Sequence, residues 1–568
     1  MLFVNQVPVF RLATDARAQV LAAELRRDQT GSVRVEMVGT SAYLRWGSNV
    51  IATIEPSEAK LYGLTPRQLA DTWASKLNPA LSLPAIKLTT VSMRLAPGAV
   101  GKVGVTGSSA EVAVARSEDN SIVGVDVDGP GLTLRAYKPG RARVVVEGGD
   151  GKQAIDVFVL PFAAKFPQTV TALVTGAPAT VDTVRGSIHS ALLSQVIREP
   201  GTKLTYSIDR VTSLASGSRR TYSINVRSQA PNALASQGVV NVSVQNSPIP
   251  PMKEAELLFS NKPEALKGPG DYYWGMVGTD QPVRMLYHHV NRSGSELFVK
   301  VELLNLGSQP AEALLIPGDS APSKNPTLAG LQAADQFARN WVSNSAEIVR
   351  IPANGSLPIA VRKLYIGQTM SGLCSIRLLP GGPEALTVRV SAMPPFPLDD
   401  RWADALNSST PWHELGTMPV PRGLSEVWRP SEHVYAAPTL ESDFSYRIGD
   451  TPTIFRLGTT AEIKRRDGST KLSGNFGVIY NLRTILENPT KQAKQVEMLF
   501  RASGGYSGGL FLIDGQIVRT PLLNPHQEVV VTVFKVEPGI KRFITIQTLP
   551  LSGSSYPATI TMRMREGK

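Results

Sequence analysis

The sequence predicts a mainly β, multidomain protein: duplicated β-sandwiches towards the C-terminus, one smaller sandwich, and two small α+β modules. Three observations predict it. At 568 residues the chain exceeds what a single hydrophobic core supports. Its composition, 42% hydrophobic and 19% charged with 48 Gly and 42 Pro, is that of a turn-rich globular protein rather than a bundle, a solenoid or a disordered chain. One stretch also recurs: Leu303, Asn305 and Gln309 within 299–315 return as Leu486, Asn488 and Gln492 within 482–498. Two further echoes follow in the same order, SIRLLP at 375–380 with TIQTLP at 545–550, and 386–390 with 560–564. One β-domain used twice explains that order, with loops varying while strands are kept.

Residues 1–88 read strand, helix, two strands, helix. Ala18, Leu21, Ala22 and Leu25 share one face of a helix over 15–27. Residues 33–37 and 43–54 alternate as strands around Gly39-Thr40-Ser41. A capping box of Thr65 and Gln68 with Pro66 at the first helical position opens a second helix, on which Leu69, Trp73 and Leu77 recur every fourth residue. From 90 to 163 the period falls to two. Short strands alternate there with turns at Pro97-Gly98, Lys138-Pro139-Gly140 and 148–151, the pattern of a small sandwich.

Residues 165–250 open with a strand at 169–175 and a helix with Asp182 near its cap and Val184, Ile188, Leu192 and Val196 on one face. Three strands and the stiff connector 248–251 complete this second α+β module. The first large sandwich is predicted over 252–394, starting with a hairpin of 283–290 and 297–304. Its helical insertion at 327–342 carries Leu328, Leu331, Ala334, Ala338 and Trp341 on one side. An irregular arm rich in Pro and Trp, 395–440, leads to the second sandwich, 441–568.

The net charge is +12, and the basic residues stand singly along strands rather than in runs. That favours loose attraction to anionic cell-wall polymers such as glycans, to lipid or to nucleic acid without specifying one, and singles out no specific nucleic acid. Cys374 is the one cysteine, so the chain has no internal disulfide; its apolar run, 373–379, marks it as a buried small hydrophobe. No apolar run reaches the roughly 18 residues of a membrane helix. The first ten residues lack the basic, apolar and cleavage regions of a leader, so an exported protein is expected to have a leader peptide that is absent from this chain.

Chemistry-bearing motifs are few. Gly505-Tyr506-Ser507-Gly508-Gly509 matches the nucleophile-elbow pattern, but a strand rather than a helix is predicted after it, which makes it a glycine-rich hairpin. His288 and His289 are neighbours on a strand and point to opposite faces, one expected buried and the other exposed. Asp119, Asp126 and Asp128 lack the glycine spacing of a calcium loop. No catalytic, metal or cofactor residues are predicted. The binding candidates are aromatic: Tyr272, Tyr273 and Trp274 in a loop after Pro269-Gly270, and Trp402, Trp412 and Trp428 in the arm. Exposed rings of this kind stack on sugars or anchor a partner.

Three resemblances add to this reading. SNVIATIEPSEA at 48–59 resembles a secreted module at the N-termini of bacterial envelope proteins, including periplasmic extensions of mechanosensitive channels. LAPG at 95–98, IVGV at 122–125 and LTLRAYKPGRA at 132–142 resemble bacterial Ig-like domains and the N-terminal domain of pilus-assembly and secretin proteins. In that family the Lys-Pro-Gly turn precedes a buried strand. LLFS at 257–260 and LYHH at 286–289, with GNFGVIY at 474–480 and SGSSYP at 552–557, resemble duplicated β-domains of secreted proteins that accompany copper-amine-oxidase-like N-terminal or S-layer homology modules. Together they imply a non-enzymatic protein of the cell surface or extracellular space, serving structure, adhesion or assembly through other envelope proteins or self-association. The alternatives are a periplasmic accessory of pilus or secretin assembly, and a hydrolase or metalloenzyme using Ser507 or His288.

Overall fold

The computed structural model describes residues 2–4, 7–25, 31–149, 151–394, 417–420, 424 and 430–565. The fold is mainly β and falls into two compact units, residues 1–163 with 231–235, and residues 164–230 with 236–568.

The first unit holds two hydrophobic cores. In one, the capping box at Thr65 starts α3 (Pro66–Leu81), whose Leu69, Trp73 and Leu77 are buried against the antiparallel strands Val33–Val38, Ser41–Trp46 and Asn49–Ile54. The continuous strand predicted over 43–54 is instead a hairpin, because Gly47 takes a φ of 61° and turns the chain back. A short α2 (Pro56–Lys60) follows it, and Leu21 of α1 (Asp15–Leu25) reaches the same core. Phe10 stacks on Trp73 with ring centroids 4.4 Å apart. The other core lies inside a sandwich of two four-stranded sheets over 87–159, with Ser92–Leu95 parallel to Gly151–Val159.

In the second unit the strands predicted for a separate α+β module continue into the first large sandwich. The sheet runs Lys203–Tyr206, Arg219–Gln229, Ser236–Asn246, Thr169–Thr175, Ala346–Ile351, Ala311–Ile316, Thr369–Leu378, Val283–Asn291, Glu256–Ser260, Val434–Ala436. The junction is the pairing of Leu173–Thr175 with Ala346–Ile348. α4 (Val181–Gln195), capped by Thr180, buries Val184, Ile188 and Leu192 on its own end of this sheet.

The duplication is plain in the topology. The first repeat sets Ala346–Ile351, Ala311–Ile316, Thr369–Leu378, Val283–Asn291 and Glu256–Ser260 in one sheet, facing Gly270–Gly278, Ala385–Met393, Leu297–Asn305 and Gly355–Leu364 in the other. The second repeat sets Gln516–Arg519, Leu510–Ile513, Lys541–Thr548, Ile479–Glu487 and Thr439–Asp443 in the same order, facing Thr453–Leu457, Ala558–Met564, Lys494–Arg501 and Glu528–Val536. Even a bulge is shared, between Val301 and Glu302 in one and between Met498 and Leu499 in the other.

This pairing corrects two expectations. Strands 283–290 and 297–304 are not a hairpin: they lie in opposite sheets, joined by a turn that arches across the sandwich. Asn291 holds that arch, its Nδ2 donating to Ser295 O and Leu364 O, both at 2.9 Å, while its Oδ1 accepts from the Ser293 amide. Asn488 does the same, donating to Gln492 O at 2.8 Å and Val536 O at 2.9 Å and accepting from the Thr490 amide. The structural counterpart of Asn488 is therefore Asn291 and not Asn305. Asn305 closes a similar turn one strand later, donating to Gln309 O at 2.8 Å and Ile351 O at 3.2 Å, so the repeated signature is a corner used more than once. The two later sequence echoes do fall on equivalent strands.

Helix α5 (Pro326–Trp341) is inserted in the first repeat and packs against both repeats. Ala333, Ala334 and Phe337 are buried, Leu328 is not, and Leu331, Ala338 and Trp341 are half-buried against the second repeat's core, so the buried surface is wider than the single stripe predicted. A Cβ at Gly330 would stand 1.9 Å from Ser552 O, which makes glycine necessary there.

Candidate functional site

Tyr272, Tyr273 and Trp274 are not in a loop. They belong to the strand Gly270–Gly278, because the stretch pairs with Ala385–Met393 through a bulge at Asp271/Tyr273. Tyr273 is 2% exposed, its hydroxyl donating to His433 O at 3.3 Å, and burial pushes that hydroxyl's pKa up. Tyr272 is half-buried and donates to Gly268 O at 2.6 Å. Trp274 is 5% exposed under the Arg389 guanidinium, 5.2 Å from its ring. Trp402, Trp412 and Trp428 lie outside the described residues.

The histidines also differ from expectation, since both are buried. This strand lies between two others in its sheet, and both its faces are covered. His289 bonds to Ser260 Oγ at 2.8 Å and Pro263 O at 3.1 Å. A carbonyl only accepts, so Nδ1 carries the proton and Nε2 accepts from the serine. Burial lowers the pKa of His289 to about 4, and burial together with His289 lowers that of His288 to about 3. Both rings are neutral at pH 7.

Ser507 is fully buried, donating to Ser555 O at 2.6 Å, with a strand after it at Leu510–Ile513. Cys374 is buried, which raises its pKa. Asp119 is capped by the Ser121 amide at 2.9 Å, and Asp126 pairs with Arg135 at 3.0 Å.

Larger polar struts sit in the first repeat. Arg362 donates to Asp319 at 2.9 and 2.5 Å, and Tyr287 donates to the other oxygen of Asp319 at 2.8 Å. Burial raises the Asp319 pKa while Arg362 pulls it down. The Tyr287 ring lies where a Cβ on Gly372 would stand, 1.8 Å away. The equivalent places in the second repeat hold Phe534, Thr484 and Ile544. Arg284 joins the two repeats: fully buried, it donates to Pro438 O at 2.7 Å, Gly477 O at 3.1 Å and Glu254 at 2.7 Å.

Two features escaped the sequence reading. One is a cleft of about 730 Å³ where Thr169–Thr175 and Ala346–Ile351 splay apart beyond their short pairing, beneath Ser187, Ser190 and Ser194 of α4. There the Gln195 amide imitates a strand, donating to Thr171 O at 2.7 Å and accepting from the Thr171 amide at 3.3 Å. Ser190 donates to the buried Glu347 at 3.1 Å in the same cleft.

The other is the outer face of the second repeat. Across the first repeat runs the row Trp274, Arg389, Glu302, Pro358, with Trp274 and Glu302 buried. Across the second runs Ile454, Thr561, Leu499, Val530, with Ile454 60% and Val530 46% exposed. The proline-free, valine-rich run at 528–536 was the available signal.

No protein-family model matches the chain, and no curated protein matches it. Among solved structures, S-layer protein SbsC domains 5–6 is similar at 10% identity over 29% of this chain and 98% of that one, with a TM-score of 0.12. SbsC domains 4 and 5 is similar at 14% identity over 14% of this chain, which spans about half (51%) of that structure, with a TM-score of 0.12. The Ig1-2 module of the Drosophila receptor protein tyrosine phosphatase DLAR is similar at 14% identity over 28% of this chain and 100% of that one, with a TM-score of 0.12. At TM-scores this low, none of them bears on what this chain does.

Proposed function

We propose that this chain is a non-enzymatic structural or adhesive protein, exported to the cell surface or extracellular space, that presents its β-sandwiches for contact with other envelope proteins or glycans. One observation carries the reading. The same nine strands form a sandwich twice with the same asparagine arch, and Ser507, His289, Arg284, Arg362 and Asp319 are buried and hydrogen-bonded within those sandwiches. A scaffold built this way is rigid, and its open faces and cleft are its means of contact. The absence of any long apolar helix among the described residues leaves the mode of attachment to surface contacts or to elements outside them.

Cell fractionation with protease treatment of intact cells tests this. Accessible protein on the surface or in the medium is the expected result. Periplasmic, protected protein that co-purifies with pilus or secretin components assigns it to assembly instead, and cytosolic protein overturns both readings.

A further inference from the structure

The strand Glu528–Val536, EVVVTVFKV, ends the outer sheet of the second repeat. It pairs on one side with Lys494–Arg501 and, among the described residues, with no strand on the other. We propose that this edge joins two copies of the chain: their Glu528–Val536 strands pair antiparallel and fuse two four-stranded sheets into one continuous sheet.

The first repeat shows what the open edge lacks. Its equivalent strand, Gly355–Leu364, is blunted twice. Met418–Pro419 pairs with Gly355 and Ser356, and Pro358 stands opposite Glu302 just past the bulge. In the second repeat Val530 stands opposite Leu499 at that same place. A proline within a strand is tolerated where the N–H would point away from the ladder, so the N–H of Val530 points to the free edge. Apart from the Arg542 guanidinium on Lys535 O at 3.0 Å, and between its end charges, this proline-free run of valines is a template for another strand.

The side chains select the partner. Val531 is the extra residue of the bulge, so Glu528, Val530, Val533 and Lys535 share one face, and residues of one face send their backbone groups to one edge. Antiparallel self-pairing about the midpoint of Val531 and Thr532 sets Glu528 opposite the partner's Lys535 and Val530 opposite the partner's Val533. The two-fold axis makes each contact twice. Opposite charges meet, outward backbone groups meet, and no other register of this strand on itself achieves both. The strand is used up by the pairing, so the product is a closed pair rather than a filament. The edge thus becomes a self-association surface that deepens the reading of the chain as a structural component and rests on it.

Sedimentation of the full chain over a range of concentrations tests the pairing. The wild-type chain is expected to be a dimer at micromolar concentration. Val530→Pro, which installs the first repeat's own blocker, should be monomeric. Lys535→Glu should weaken the dimer about tenfold, and Glu528→Lys with Lys535→Glu together should restore it. A wild-type monomer at every concentration, or a dimer indifferent to all three variants, overturns the proposal. If V530P does not fold, the charge pair decides. A monomer that is nonetheless surface-exposed sinks the pairing and leaves the proposed function standing, whereas a cytosolic dimer does the reverse.

Discussion

The two repeats share strand order, bulge and asparagine arch, yet the first is covered and the second is open. In the first, Gly355–Leu364 is buried at all but one residue and Ala385–Met393 at all but three. In the second, Glu528–Val536 and Ala558–Met564 keep one face largely open to solvent. The substitutions follow: Trp274 against Ile454, Arg362 against Phe534, and His288-His289 against Ile485-Leu486. One topology thus tolerates either a buried Arg362–Asp319 pair or, at the place of Arg362, a buried phenylalanine. What differs is how much of each sandwich the rest of the chain encloses.

The largest expected contrast is with acid. Both histidines have pKa values below the ordinary 6.5, so the stability they contribute is complete above about pH 6.5 and is lost as the pH falls towards 4 and then 3. Placing the second repeat's residues there, His288→Ile with His289→Leu, should remove a loss on the order of 5 kcal/mol between pH 6.5 and 4. Urea unfolding across that range checks it, and parallel pH profiles for variant and wild type would contradict the burial.

Trp274→Ala should cost about 4 kcal/mol, whereas Ile454→Ala at the matching open position should cost less than about 0.5. Equal losses would mean the two faces are equally covered. Arg362→Phe strands the Asp319 carboxylate and should cost about 3 kcal/mol, most of it recovered by adding Asp319→Leu. No recovery in the double variant would show that the pair supplies more than charge compensation. The smallest contrast is between the arches. Asn291→Ala and Asn488→Ala should each cost about 2 kcal/mol through lost buried hydrogen bonds, the same within error. Unequal costs would falsify their equivalence.

Much of the local structure was legible. The capping box at Thr65 starts α3 as read, the period-two runs over 90–163 form strands, and the 375–380 and 386–390 echoes mark equivalent strands. The candidate binding residues were less so. Tyr273 and Trp274 follow a Pro-Gly pair that reads as a loop, but a strand more than a hundred residues away claims them.

By itself the sequence determined most of the helices and strands and the repetition, because these depend on backbone preferences and apolar periodicity within a few residues. Only the tertiary structure decided that 283–291 and 297–305 enter different sheets, that both histidines are buried, and that among the described residues no strand pairs with the outer edge of 528–536. Alternation along a strand marks one apolar face. Whether the other face and the edge meet water depends on elements far along the chain.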